Sequence, residues 1–172
     1  MSVDELIDVK SVLQSSESVG YSDIERLSQI VCSDQVSELN NEVQALIRSI
    51  SEGQASAGLS ARAGIALHLL GKHKEAVTQL EKVQDNATAC FYQAVSLIAL
   101  KRYAEADQKL EAAAKLGYDS IECSLRRAET LRLVGKLDDA ESVLGTISKD
   151  AAGRAEYSFQ MGCIRSDRVF FC

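Results

Sequence analysis

The stretch GKLDDAESVLGTI, from Gly135 to Ile147, is the clearest copy of a pattern that occurs three times in this chain of 172 residues. Two earlier copies are KRYAEADQKLEAA, residues 101 to 113, and GKHKEAVTQLEKV, residues 71 to 83. Self-similarity at an interval of 30 to 34 residues is typical of repeat proteins, in which each repeat is one supersecondary unit. We therefore interpret residues 57 to 150 as three repeats.

Alignment of the copies shows which positions the repeat holds constant. Each repeat contains two helical patterns, joined by a short polar turn around Gly71, Lys101 or Gly135. Antiparallel helices joined by so short a turn approach closely, so the small aligned residues are predicted at the crossing and the large ones between helix pairs. The aligned positions are Gly64, Ala94 and Ala128; Leu67, Leu97 and Leu131; Ala76, Ala106 and Ala140; and Leu80, Leu110 and Leu144.

The composition favours an all-α fold. Apolar residues make up 46% of the chain, and there is no proline or tryptophan. A proline inside a helix costs about 3 kcal/mol, so a chain without proline can form long uninterrupted helices. Runs of β-branched or aromatic residues, which would predict strands, are scarce.

The aligned pattern resembles the tetratricopeptide repeat (TPR) family. That resemblance implies a right-handed superhelix of antiparallel helix pairs. The chain departs from the family pattern where Lys101 replaces a glycine, where His73 and Leu137 replace an aromatic residue, and in lacking the closing prolines. The matching residues are Gly64, Gly71, Ala76 and Leu80 in the first copy; Tyr103, Ala106, Leu110 and Ala113 in the second; and Ala128, Gly135, Ala140 and Leu144 in the third.

The segments on either side of the repeats differ from them. Residues 1 to 56 carry ten acidic residues against three basic ones, and helical patterns over 3–15, 22–32 and 34–51 make this an acidic N-terminal region, with the last two patterns a candidate degenerate repeat. Residues 151 to 172 begin as a fourth copy, with Gly162 placed 34 residues after Ala128. This end is either the first helix of an incomplete fourth repeat or a capping helix.

Several kinds of chemistry have no signal in the sequence. No basic stripe predicts nucleic-acid binding, no apolar run is long enough for a membrane span, and no signal peptide is visible. The five cysteines lack metal-ligand spacing and are expected to be reduced and mostly buried in a cytoplasmic protein. His68 and His73 are expected on different sides of a helix and its turn. We expect no catalytic residue, no cofactor and no metal site.

The resemblance implies a partner-binding site on the concave face of the first helix of each repeat. That face is expected to be apolar in the middle and charged at one end. An alternative is that the N-terminal helix, with Leu6, Ile7 and Leu13, occupies the groove itself. The residues carried over to the groove are Ile65, His68 and Leu69; Phe91, Val95 and Ile98; Glu122, Leu125, Glu129 and Arg132; and Phe159.

The expected function is a protein–protein interaction scaffold or adaptor that binds a peptide or partner helix in this groove. Two alternatives stay open, a small secretion-type TPR chaperone and a regulatory TPR domain of a larger enzyme or signalling protein. Contacts between copies of the chain, through the N-terminal helices or the C-terminal end, also stay open.

Overall fold

The computed structural model describes residues 6–15, 18–53 and 56–170, and these contain helices and no strand. The chain divides into an N-terminal unit, Met1–Gln84, and a C-terminal unit, Asp85–Cys172. The predicted array of three repeats is therefore shared between two compact units. The first repeat belongs with the N-terminal helices, and the second and third repeats belong to the C-terminal unit.

The described residues of the N-terminal unit form five helices. Their bounds are α1 Val9–Gln14, α2 Tyr21–Val31, α3 Val36–Ser51, α4 Ala57–Leu69 and α5 His73–Leu80. Helix α1 is shorter than the pattern over 3–15 predicts, because Asp8 is its N-cap and accepts a hydrogen bond from the Ser11 backbone N–H at 3.1 Å. Residues 3 to 5 of that prediction lie outside the described part of the chain.

The C-terminal unit contains six helices in its described part. Their bounds are α6 Ala87–Ala99, α7 Tyr103–Lys115, α8 Ser120–Leu133, α9 Leu137–Thr146, α10 Ser148–Ala151 and α11 Ala155–Phe170. Helix α6 packs on α7, α7 on α8, and α8 on α9, while α11 packs on both α8 and α9. Packing between neighbours in sequence is the arrangement of an α-helical repeat. Residues 171 and 172 of the predicted C-terminal segment lie outside the described part.

The three repeat turns share one backbone geometry. Gly71, Lys101 and Gly135 have positive φ angles of 74°, 61° and 79°. In each turn the N–H of this residue and the next N–H donate back to carbonyls of the preceding helix at 2.9 Å, as Gly71 does to His68 and Lys72 to Leu67. This pair of bonds is the Schellman motif, which ends a helix on a left-handed residue. The turn residue quoted from each copy therefore reverses the chain between paired helices.

The aligned small and large residues are packing residues, as predicted. Ala76, Ala106 and Ala140 are fully buried, and so are Leu80, Leu110 and Leu144. A β-carbon at Gly64 would lie 2.5 Å from Leu80 Cγ and 3.3 Å from the carbonyl oxygen of Ala76. Helices α4 and α5 thus approach too closely for any side chain at this position, which confirms the predicted reason for the small residue.

Helix α4 is buried on all sides and contains a buried charge. Every residue from 60 to 67 is buried, and helices α1, α2, α3 and α5 all contact α4. Arg62 has no exposed surface; it donates to the carbonyl oxygens of Val12 at 3.1 Å and Ser15 at 3.2 Å, and it forms an ion pair with Asp23 at 3.1 Å. Its guanidinium therefore caps the C-terminus of α1 and joins α1 and α2 to α4.

The close approach at Gly64 predicts opposite effects for two glycine substitutions. Gly64→Ala should lower the free energy of unfolding by about 1–3 kcal/mol, because its β-carbon overlaps Leu80. Gly162→Ala should raise it by up to about 1 kcal/mol, because a β-carbon there meets no atom within 4 Å and alanine favours the helix. Urea unfolding of both variants measures this. Equal effects at the two sites would contradict the crossing at Gly64.

The left-handed turn residue Lys101 predicts a stabilising substitution. A residue with a β-carbon in this conformation costs about 1 kcal/mol relative to glycine. Lys101→Gly should therefore raise the urea midpoint, whereas Lys101→Ala, which removes the charge but keeps the β-carbon, should leave it near the wild-type value. A gain of the same size in both variants would attribute the effect to charge instead.

The buried guanidinium of Arg62 predicts a large loss of stability when it is removed. Arg62→Met keeps much of the apolar length but removes the donor to two carbonyls and the cationic partner of Asp23, which keeps its bond from the Gly20 N–H. Breaking a buried ion pair on one side costs about 3–5 kcal/mol. The exposed Arg48→Met variant is the control, with an expected change below about 0.5 kcal/mol. Similar unfolding midpoints for the two variants would show that the contacts of Arg62 with α1 and α2 do not stabilise the fold.

Candidate functional site

The predicted groove residues lie on four helices and in both units. Ile65, His68 and Leu69 are on α4 in the N-terminal unit. The remaining eight are in the C-terminal unit, on α6, α8 and α11. We therefore consider each unit separately.

In the N-terminal unit, the prediction fails at Ile65. Its side chain has no exposed surface, because four helices surround α4. His68 and Leu69 are half-buried. Helix α1 contacts α4, but of the three side chains expected to fill the groove only Leu13 is buried, while Ile7 is half-buried and Leu6 is 77% exposed. Burial leaves Ile65 unable to contact a partner in this structure.

The two histidines are neighbours in space, contrary to the expectation from their spacing. The ring centroids of His68 and His73 are 5.3 Å apart, with the ring planes tilted by 53°. The Schellman turn between α4 and α5 returns the chain at once, which places the start of α5 beside the last turn of α4.

In the C-terminal unit, the apolar middle of the predicted face is mostly core. Phe91 is 7% exposed and stacks on Tyr118, with ring centroids 4.1 Å apart and the planes within 13°. Val95 and Ile98 are half-buried and pack against the same cluster, which also contains the buried thiols of Cys90 and Cys123. The expectation of an exposed apolar strip on α6 is therefore wrong at Phe91, while Val95 and Ile98 keep part of their surface exposed.

Four of the predicted residues meet in one cleft between α8 and α11. Glu122, Leu125 and Glu129 lie on one face of α8, and Phe159 faces them from α11. The cleft has a volume of about 570 Å³. We call it the α8–α11 cleft; its lining residues are Glu122, Leu125, Arg126, Glu129, Ala155, Glu156, Phe159 and Gln160.

Carboxylates dominate the charge of this cleft. Arg126 lies between two of them, with Nε 3.1 Å from Glu122 Oε1 and Nη1 3.2 Å from Glu129 Oε2. Burial alone lowers the pKa of Arg126, but the two carboxylates outweigh it and raise the pKa above its ordinary value. Glu156 is exposed and has no ion pair in the described part of the chain. Three carboxylates against one guanidinium leave a net formal charge of −2.

Two side chains of α11 add an exposed aromatic ring and a buried amide to the cleft. Phe159 is 65% exposed, which is unusual for a large aromatic side chain. Gln160 is 9% exposed, and its Oε1 is buried without a hydrogen-bond partner. A buried acceptor without a donor costs about 1–3 kcal/mol, so it marks either strain or a group that binding satisfies.

The groove prediction did not include four of the cleft residues, although helical spacing could have found them. Arg126 follows Glu122 by four residues, and Gln160 follows Glu156 by four, so each pair shares a helix face. Choosing only the positions that the family resemblance supplies omitted these neighbours. Nothing in the sequence showed that α8 and α11 would enclose a cleft.

Arg132, the last predicted residue of α8, lies outside the cleft. Its Nη1 donates to Asp167 Oδ2 at 2.9 Å, which links α8 to the C-terminal half of α11. Arg132 therefore helps to hold the two walls of the cleft together.

A second cleft, of about 810 Å³, lies in the N-terminal unit between α1, α2 and the start of α3. Gln35 forms part of its wall, and its side-chain amide pairs with the backbone of Ile7, accepting at 3.3 Å and donating at 2.9 Å. None of the eleven predicted residues lines it.

The described residues form no further site of a recognisable class. No group of three or more histidine, cysteine, aspartate or glutamate side chains there could hold a metal ion. Cys32 is exposed, while burial raises the pKa of Cys123 to about 11. None of the described helices combines the length and the apolar character that crossing a membrane requires.

No protein-family model matches the chain, and searches of curated proteins and of solved structures found no significant match. The site must therefore be judged by its own geometry and charge.

Proposed function

We propose that this chain is a TPR-like protein-interaction module and that a peptide or partner helix binds in the α8–α11 cleft. The observation that carries the proposal is the convergence of Glu122, Leu125, Glu129 and Phe159 on one cleft. The remainder of the expected groove face is buried, half-buried or paired. The proposal therefore narrows the binding site to a single cleft in the C-terminal unit.

The composition of the cleft supports binding to a protein segment. Binding surfaces commonly combine an apolar or aromatic anchor with a few polar groups around it. Here Phe159 is exposed near the buried side chain of Leu125, with carboxylates and an amide close by. Exposed aromatic side chains of this kind often contribute most of the binding energy at an interface.

The repeated hairpins support the family part of the proposal. The same left-handed turn joins the two helices of each repeat, at Gly71, Lys101 and Gly135. The aligned alanines and leucines fill the core. In repeat proteins, such residues hold the helices together, while residues that differ between repeats form the binding surface. Glu122, Glu129 and Phe159 belong to this variable group.

A selection experiment tests the cleft as the binding site. A phage-displayed library of random short peptides would be selected against the wild-type chain, and binders would be measured against Phe159→Ala. We expect affinity to fall by at least about 10-fold, because an aromatic anchor contributes about 2 kcal/mol or more. Tyr21→Ala, which removes a ring that is 83% exposed in the N-terminal unit, is the matched control.

The choice of variant matters in this experiment. Phe159 is exposed, so its truncation should leave the thermal unfolding midpoint unchanged. A charge at Phe91 would disrupt the stack with Tyr118 and unfold the cluster around it, so loss of binding there would not identify a site. Binders that tolerate Phe159→Ala as well as Tyr21→Ala would overturn the proposal.

A further inference from the structure

The α8–α11 cleft contains acceptors for which the chain itself supplies too few donors. Among the described residues, Arg126 is the only cation that lines it, and this guanidinium already bonds to Glu122 and Glu129. Glu156 has no ion pair among the described residues. An anionic group entering the cleft would meet three carboxylates, whereas a cation would be attracted.

Gln160 is independent evidence that the cleft lacks a donor. The residue is nine-tenths buried, lines the cleft, and has an Oε1 without a partner. The terminal amide of glutamine rotates over a broad range of angles, so the oxygen can turn toward a donor that enters the cleft. A ligand with several N–H groups could bond to Gln160 and to a carboxylate at the same time.

Phe159 indicates the shape of the missing cation. Its ring is 65% exposed where the cleft opens. A planar guanidinium stacks on an aromatic face and still directs its N–H groups sideways to acceptors, which a compact ammonium does less well. A metal ion is a poor alternative, because the described residues include no group of three or more His, Cys, Asp or Glu side chains that could hold one.

We infer that the α8–α11 cleft recognises an arginine side chain of its partner, beside an apolar residue that contacts Phe159. The inference rests on the proposed function and specifies the partner chemistry of the same site. The guanidinium lies over the ring of Phe159 and donates to Glu156 and Gln160. The partner is therefore a basic, partly apolar protein segment.

Two synthetic peptides of nearly the same shape test this inference. Acetyl-leucyl-arginine amide and acetyl-leucyl-citrulline amide differ mainly in charge, because citrulline replaces the guanidinium with a neutral urea group. Each would be titrated into the ¹⁵N-labelled full chain, and the backbone amide shifts of residues 122–129 and 155–160 would be followed. We expect the arginine peptide to bind about 10-fold more tightly, with the difference shrinking in high salt.

Substitutions locate the source of the preference. Glu156→Gln should weaken binding of the arginine peptide several-fold and leave the citrulline peptide unchanged. Asp139→Asn, which removes an exposed carboxylate that does not line the cleft, should change neither. Loss of binding in both Glu156→Gln and Asp139→Asn would attribute the preference to net charge and overturn the inference.

The outcomes separate this inference from the proposed function. Equal binding of the two peptides, or no shift at cleft residues with the arginine peptide, overturns the arginine inference. The interaction function then still stands if library peptides depend on Phe159. If neither the library peptides nor the arginine peptide depends on Phe159, both proposals fail.

Discussion

The hairpin turn is the constraint on which the rest of this structure depends. Gly71, Lys101 and Gly135 each adopt positive φ, and two backbone bonds of 2.9 Å close each turn. A reversal this tight leaves no room for the paired helices to separate, so they must pack along their length. Small residues at the crossing, such as Gly64, and buried leucines opposite them, such as Leu80, are consequences of that geometry.

Burial of α4 creates a second requirement in the N-terminal unit. A helix that is apolar on all sides needs cover from every direction, and α1, α2, α3 and α5 supply it. The desolvation cost of burying Arg62 without partners would be prohibitive. Its guanidinium instead bonds to two carbonyls of the α1 segment and to Asp23. The charge therefore links α1 and α2 to α4 through polar contacts.

Features that depend on residues close in sequence were predicted better than features that depend on contacts between distant elements. The turns, the crossing glycine and the buried leucines depend on residues close in sequence, and they were predicted correctly. Ile65 and Phe91 were assigned to a surface, yet neighbouring helices bury both. Their exposure depends on elements distant in sequence, which the repeat pattern does not encode. His68 and His73 were expected on different sides of a helix and its turn, and the reversal at Gly71 brings their ring centroids to 5.3 Å.

The sequence by itself determined the helices, the turns between them and the residues that hold each pair together, because these depend on local backbone preference and on periodic burial. Only the tertiary structure decided which variable residues share a surface. Glu122 and Phe159 are 37 positions apart, and the packing of α11 on α8 and α9 brings them to one cleft. That packing also leaves Gln160 Oε1 without a donor, a property of the assembled helices that no local pattern contains.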